Sequence, residues 1–284
     1  MKQLIFNADD FGLDPAINAA VMQAHSHGLL TSASLLVAAP FAREAIEFAR
    51  AQPRLGVGIH LWLVDEMAPA APARIAELAN ARGEWPSSPQ QLGVVLGPAR
   101  SRAIEREVRA QLELFRQTGL TPTHLDTHMH AHLLPGVRAI IARLAREFEI
   151  RYVRAPVEPL LPFLRCRPKN IGRALARGAI FGTLGRYCRY RLRQSGLQTA
   201  DRTVGVLNVG QLTEQFLLAY APYFPDGVTE VVCHPAVIAT PQLAQRQPGY
   251  QHAAELQALC STPLREALAK NGVQLTNFRD VSGR

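Results

Sequence analysis

Five short apolar runs in this 284-residue chain read as β-strands, and each ends on residues able to bind a metal or move a proton. Residues 3–7 run into Asp9-Asp10, and 55–61 carry His60. Residues 123–126 lead to Asp126 and His128, 150–154 close on Arg154, and 228–233 deliver His234. Between the runs the period changes to that of a helix. Ile17, Val21 and Ala24 share one face of 15–27, Phe41, Ala45 and Phe48 one face of 41–51, and Ile104, Val108, Leu112 and Phe115 form a third stripe. Strands at 34–37, 204–207 and 273–276, with helices at 137–148, 213–220 and 253–270, continue the alternation. Such alternation favours a parallel sheet, and in a β/α barrel the carboxyl ends of the strands meet on one face, where catalytic groups gather. The expected fold is α/β, a single-domain distorted (β/α) barrel of about seven parallel strands over residues 1–284.

Two segments interrupt this rhythm. Residues 62–99 contain Pro69, Pro72, Pro86, Pro89 and Pro98, which predicts a lid-like excursion with at most one short helix near 73–81. Loops of that length in compact domains are usually functional, and Trp85 is taken as a substrate contact there. Residues 157–200 form a basic amphipathic insertion. From 151 to 200 the chain has ten arginines and one lysine against a single acid, Glu158, so the net +8 of the whole chain resides here. Across 160–193, apolar Ile171, Leu175, Ile180, Phe181, Leu184 and Leu192 alternate with arginines, a composition suited to anionic lipid headgroups. Gly172, Gly178, Gly182 and Gly185 weaken a helix there, and an insertion simply packed on the barrel would also account for the segment. No recognition fold accompanies the arginines, which sets nucleic acid aside as a partner.

Cys166, Cys188, Cys233 and Cys260 form no CxxC pair, so neither a disulfide framework nor a zinc knuckle is implied. The apolar N-terminal stretch is too short for a signal peptide, and no run reaches the roughly 18 apolar residues of a spanning helix. The expected location is the cytoplasm, with peripheral contact at the inner face of its membrane through residues 160–193.

The densest chemistry lies in His124-Leu125-Asp126-Thr127-His128-Met129-His130-Ala131-His132, which holds four of the nine histidines. Were this run extended, alternate residues from His124 to His132 would line one face. Imidazole is the commonest metal ligand, and a neighbouring carboxylate can fix its tautomer. A catalytic metal needs about three protein ligands and one open position. Asp10, His60 and His128 supply such a set from three strand ends. Asp9 is left beside the ion as general base, and His234 enters as general acid. Paired aspartates also serve turns, and a lone histidine is more often structural; the joint placement at strand ends argues for a site. Two histidines and a carboxylate also describe non-haem iron oxygenases, although those sites usually occupy a β-sandwich. A non-catalytic sugar- or lipid-binding barrel is a third reading, in which Asp9 and His234 would be dispensable.

Asn7-Ala8-Asp9-Asp10-Phe11-Gly12, Gly58-Ile59-His60-Leu61, Thr123 to His130 and Cys233-His234-Pro235 together resemble the signature blocks of the YdjC-like carbohydrate deacetylases. The stretch from Tyr250 to Asp280 is similar too. The resemblance implies a polysaccharide-deacetylase-like barrel that removes acetyl groups from N-acetylated sugars. Asp10, His60 and His128 would be the metal ligands, Asp9 the base and His234 the acid. Arg154 matches a position that faces substrate, while His130 and His132 fall beside the ligands or in the substrate cleft. The family implies one divalent ion, described as magnesium, whereas two imidazoles suit zinc better. The arginine-rich insertion resembles the hopanoid-biosynthesis-associated branch, which implies an N-acetylglucosaminyl group on a hopanoid glycolipid as substrate. A soluble chitooligosaccharide is the alternative. The oligomeric state stays open.

Overall fold

The computed structural model describes residues 1–65, 70, 78, 83–93, 97–166 and 171–281. Seven strands, all parallel, form its sheet: β1 (Lys2–Phe11), β2 (Ser32–Leu35), β3 (Gly56–Leu61), β4 (Leu125–Thr127), β5 (Arg202–Val204), β6 (Gly227–Cys233) and β7 (Val273–Leu275). Their order is β4-β3-β2-β1-β6-β5, with β7 added beside β1. Long, wholly apolar runs such as Leu4-Ile5-Phe6 are buried on both faces, as in parallel sheets covered by helices.

The expected strand at 150–154 is present only as two isolated bridges, Leu125 to Val153 and Tyr152 to Gln198. It nonetheless completes the ring. Leu125 N–H donates to the Tyr152 carbonyl at 2.9 Å, and Thr203 N–H to the Val157 carbonyl at 3.0 Å, so residues 151–157 bridge β4 and β5. Pro156 donates no hydrogen bond, which helps to keep this segment from forming a full ladder.

β1 organises the barrel. One edge pairs with β6 from Lys2 to Ala8. The other edge is divided, with β7 along Lys2–Leu4 and β2 along Asn7–Phe11. The β1–β2 register shifts between Ala8 and Phe11, and Asp10 takes a left-handed φ of 62°. Neighbouring residues on a regular strand point to opposite faces. The bulge re-aims one of them, so Asp9 and Asp10 both reach the barrel mouth.

The helices are α1 (Pro15–His27), α2 (Ala42–Ala51), α3 (Pro89–Leu92), α4 (Pro98–Gln117), α5 (Pro135–Glu147), α6 (Leu160–Cys166), α7 (Ile171–Gln194), α8 (Glu214–Tyr220), α9 (Pro241–Arg246), α10 (His252–Leu259), α11 (Thr262–Lys270) and α12 (Phe278–Val281). α1 starts as its sequence dictates: the Asp14 side chain accepts the Ala16 N–H at 2.8 Å, with proline in the first turn. The single helix expected at 253–270 is two, because Ser261 caps a new start and Pro263 cannot continue the old one. α7 runs 24 residues despite its glycines. Gly185 explains one of them, since a Cβ there would lie 2.2 Å from the Pro156 carbonyl oxygen. The glycine lets the helix lie directly on the barrel.

The excursion is anchored at its start: Gln111 on α4 exchanges hydrogen bonds with the Trp62 backbone at 2.9 and 2.8 Å. The short helix expected near 73–81 lies outside the described residues.

The barrel interior is layered. At the base, Ile5, Tyr152, Val228, Phe278 and Val281 form an apolar cluster, with α12 as its plug. Above it the inward-facing residues turn polar. Asn7 Nδ2 donates to Ser34 Oγ at 2.8 Å, and Ser34 Oγ in turn donates to Asp126 at 2.7 Å and contacts His124 Nε2 at 2.9 Å. His124 stacks on Phe278 with centroids 4.2 Å apart, in space that a Cβ on Gly58 would fill.

Candidate metal centre

The histidine-rich run is not extended. β4 ends at Thr127, and residues 128–133 form a 3-10 turn in which Met129 and His130 adopt left-handed φ values of 51° and 54°. His124 and Asp126 therefore point into the barrel while His128 turns over the mouth. His130 packs against Phe181 of α7 and against His132, which bonds Thr127 Oγ1. Burial lowers the His132 pKa to about 3, and its bond to Thr127 holds it outside the group formed by Asp10, His60 and His128.

Asp10, His60 and His128 come together as expected. Their candidate ligand atoms all lie within 4.8 Å of one another. Asp10 Oδ1 lies 3.0 Å from His128 Nδ1 and 3.5 Å from His60 Nε2, while Gln247 Nε2 donates to Asp10 Oδ2 at 2.6 Å. His60 gives the sharpest test of a metal. Its Nδ1 is bonded to Asp126 at 2.5 Å, leaving a buried Nε2 with no hydrogen-bond partner, directed at Asp10. A carboxylate on one nitrogen and a free second nitrogen is the arrangement of a metal-binding imidazole.

Electrostatics favour a cation there. Burial alone would lower the His60 pKa, but Asp126, Asp9 and Asp10 overturn it and raise it to about 10. His128 likewise opposes burial and rises to about 9, through Asp10 and then Asp65. Asp10 is held well below the ordinary carboxylate range by both imidazoles despite its burial. Two nitrogens and one oxygen suit zinc better than magnesium, which prefers oxygen.

Arg154 departs from its expected place. Its side chain is wholly buried, so it does not face the cleft. Nη1 and Nη2 each donate to one Asp9 oxygen at 2.7 Å. Nη2 also meets Asp126 at 2.6 Å, and Nε donates to Glu230 at 2.8 Å. A bidentate guanidinium fixes a carboxylate's plane as well as its charge. Burial raises the Glu230 pKa to about 7, opposed by Arg154.

Trp85 also differs from expectation: it is fully buried and belongs to the main apolar core. Trp62 takes the place beside the site, its ring centroid 5.9 Å from that of His128, with the Arg246 guanidinium over the Trp62 ring at 5.9 Å. His234 enters from the end of β6. Its backbone N–H donates to Glu255, and its carbonyl lies 2.7 Å from His252 Nδ1. Tyr250 packs edge-on at 5.2 Å, and burial lowers the His234 pKa. Sequence reasoning missed Gln247, Glu255, Asp65 and Tyr250, which lie on loops or helices away from the strand ends and carry no local pattern.

A family model described as YdjC-like protein matches residues 3–270. The chain is 32% identical over 280 residues to a carbohydrate deacetylase of Geobacillus stearothermophilus, covering 98% of each. It is 29% identical over 280 residues to a carbohydrate deacetylase of Brevibacillus brevis, covering 98% of this chain and 99% of the other. A crystal structure from Enterococcus faecalis V583, described as that of a cellobiose-phosphate cleavage protein, superposes with a TM-score of 0.77 at 25% identity, covering 99% of this chain and 98% of that one.

Proposed function

The chain belongs to the YdjC-like family, and on that premise we propose that it is a metal-dependent carbohydrate N-deacetylase, hydrolysing the acetamide of an N-acetylated amino sugar. The observation that carries this reading is the buried His60, tied to Asp126 through one nitrogen and open toward Asp10 through the other. Asp10, His60 and His128 would hold one divalent ion, zinc in preference to magnesium. When bound, such an ion polarises an amide oxygen and lowers the pKa of water.

The chain's own groups supply the rest. Asp9 is the base. Arg154 clamps both of its oxygens from behind and Asn7 Nδ2 also donates to Oδ1 at 3.0 Å, so Oδ2 keeps the lone pair for a water proton. His234 is the acid that protonates the departing nitrogen. Burial disfavours its charged form while Asp10 and Asp9 favour it, and the proton it delivers is taken up from solvent before the step, the water proton passing separately to Asp9. Glu255 and His252 fix its backbone, and Tyr250 limits the swing of its ring. Acetate and a free amino sugar are the products.

The acceptor we favour is lipid-linked, an N-acetylglucosaminyl group on a hopanoid glycolipid. Support comes from α7, where Leu175, Ile180, Leu184 and Tyr190 are exposed among arginines, and where Phe181 touches His130 in the turn bearing His128. The apolar, basic surface therefore adjoins the mouth. No described helix is long and apolar enough to cross a membrane, so contact would be peripheral. The test is acetate release from an N-acetylglucosaminyl lipid in anionic vesicles against soluble chitobiose, with metal removed and restored. Activity on the lipid that vanishes with chelator and returns with zinc is expected. Equal rates on both substrates would overturn the lipid assignment and leave a soluble chitooligosaccharide deacetylase.

A further inference from the structure

Each imidazole of the metal set meets a second carboxylate on its far nitrogen. For His60 this is Asp126, reached through Nδ1. For His128, whose Nδ1 faces Asp10 at 3.0 Å, it is Asp65, whose Oδ2 lies 3.6 Å from Nε2. We propose that Asp65 is the positioning residue for His128: it holds the Nε2 proton, fixes which tautomer faces the ion, and so sets metal affinity. The inference rests on the metal reading of Asp10, His60 and His128.

Asp65 is held for this task from outside the barrel. Arg246 Nη1 contacts Asp65 Oδ2 at 2.6 Å and donates to the Asp65 carbonyl at 3.0 Å. The Asp65 backbone is left-handed at φ 72°, and its N–H donates to the Pro86 carbonyl at 2.8 Å. Trp62 lies between, near both His128 and Arg246. Three contacts therefore place one carboxylate at the far side of a ligand ring. The 3.6 Å separation is that of an ion pair rather than a hydrogen bond. An imidazole bound to a cation becomes a stronger donor through its other nitrogen, so the contact shortens on loading. The two carboxylates differ in reach. Asp126 is sealed in the barrel wall, whereas Asp65 lies in the excursion and is fastened by Arg246 to the arm formed by α9 and Gln247. Because Gln247 also binds Asp10, the same arm steadies two of the three ligands from one side.

The experiment measures zinc affinity of the whole protein without substrate, by competition with a chromophoric chelator. Asp65→Asn is expected to bind zinc roughly 10- to 100-fold more weakly, in the range found when an outer partner of a ligand histidine is lost. Arg246→Met, which keeps packing over Trp62, is expected to give a smaller loss. Histidine labelled with ¹⁵N supplies a readout that simple destabilisation would not move. In the zinc-loaded protein the His128 Nε2–H resonance should shift in Asp65→Asn while the His60 Nδ1–H resonance, held by Asp126, stays in place. A folded Asp65→Asn protein with wild-type affinity and an unmoved His128 resonance would overturn the inference. Wild-type protein that binds no zinc, magnesium or manganese would instead sink the metal reading itself.

Discussion

Charge is used in opposite ways inside the barrel and along α7. In the interior, Arg154 faces Asp9, Asp126 and Glu230 in full burial, every contact at 2.6–2.8 Å. On α7 the arginines are spread among exposed Ile180, Leu184 and Tyr190, and Arg193 finds its acid, Asp201, only at a half-exposed 3.2 Å. Buried charges are specific by position, because an unpaired one is costly. Surface charges are screened and individually weak, and act as a sum. The interior can therefore define a reaction, while the helix can define only a kind of surface on which the reaction takes place.

That contrast can be broken in order of effect. Asp9→Asn, confined to the interior, is expected to cut acetate release by roughly 10²–10⁴-fold, the usual contribution of a general base, while zinc binding persists in the chelator assay. Arg154→Met leaves three buried acids without their cation and should cost about 3–5 kcal/mol, read from the urea midpoint. A variant as stable as wild type would mean that the acids share protons instead. On the helix, Arg186→Gln combined with Arg191→Gln should weaken binding to anionic vesicles by about 1 kcal/mol per charge and leave turnover of soluble chitobiose unchanged. Loss of chitobiose turnover in that variant would remove the distinction between the two regions.

A last test concerns Glu158, where the insertion meets the barrel. One of its oxygens accepts the N–H groups of Val206 and Leu207 at 2.8 and 2.7 Å, and burial raises its pKa from 4.5 to about 7. The folded state thus holds this proton more tightly than the unfolded chain. Its contribution to stability is complete below about pH 4.5 and is lost as pH rises through about 7, up to ~3 kcal/mol. Glu158→Gln should flatten that fall, seen as a smaller drop in Tm between about pH 5 and about pH 8.

The proximity of Asp10, His60 and His128 is legible because each sits at or just past a strand end, and strand ends announce themselves through apolar runs followed by polar residues. Asp9 and Asp10 both reach the barrel mouth, though the bulge that brings adjacent residues to one face leaves no mark in the sequence. Arg154 was placed at the right strand end but on the wrong side of Asp9, since sequence gives the height of a residue in a barrel and not which neighbours enclose it. Trp85, expected to contact substrate as the large aromatic of a proline-rich loop, is buried instead, and a large aromatic in a loop is often what pins the loop down. Asp65 and Gln247 were invisible. Each meets the site through a chain reversal, and no period or spacing records that.

α12 closes the base of the barrel, and its Phe278 lies flat beneath His124, which leads through Ser34 and Asp126 to His60. The floor of the molecule is therefore mechanically continuous with its ceiling, one stacked column from the last helix to the ligand. Disturbance at that remote pole, such as Phe278→Ala, would tilt the column and reach a reaction taking place at its opposite end without touching any group that takes part in it.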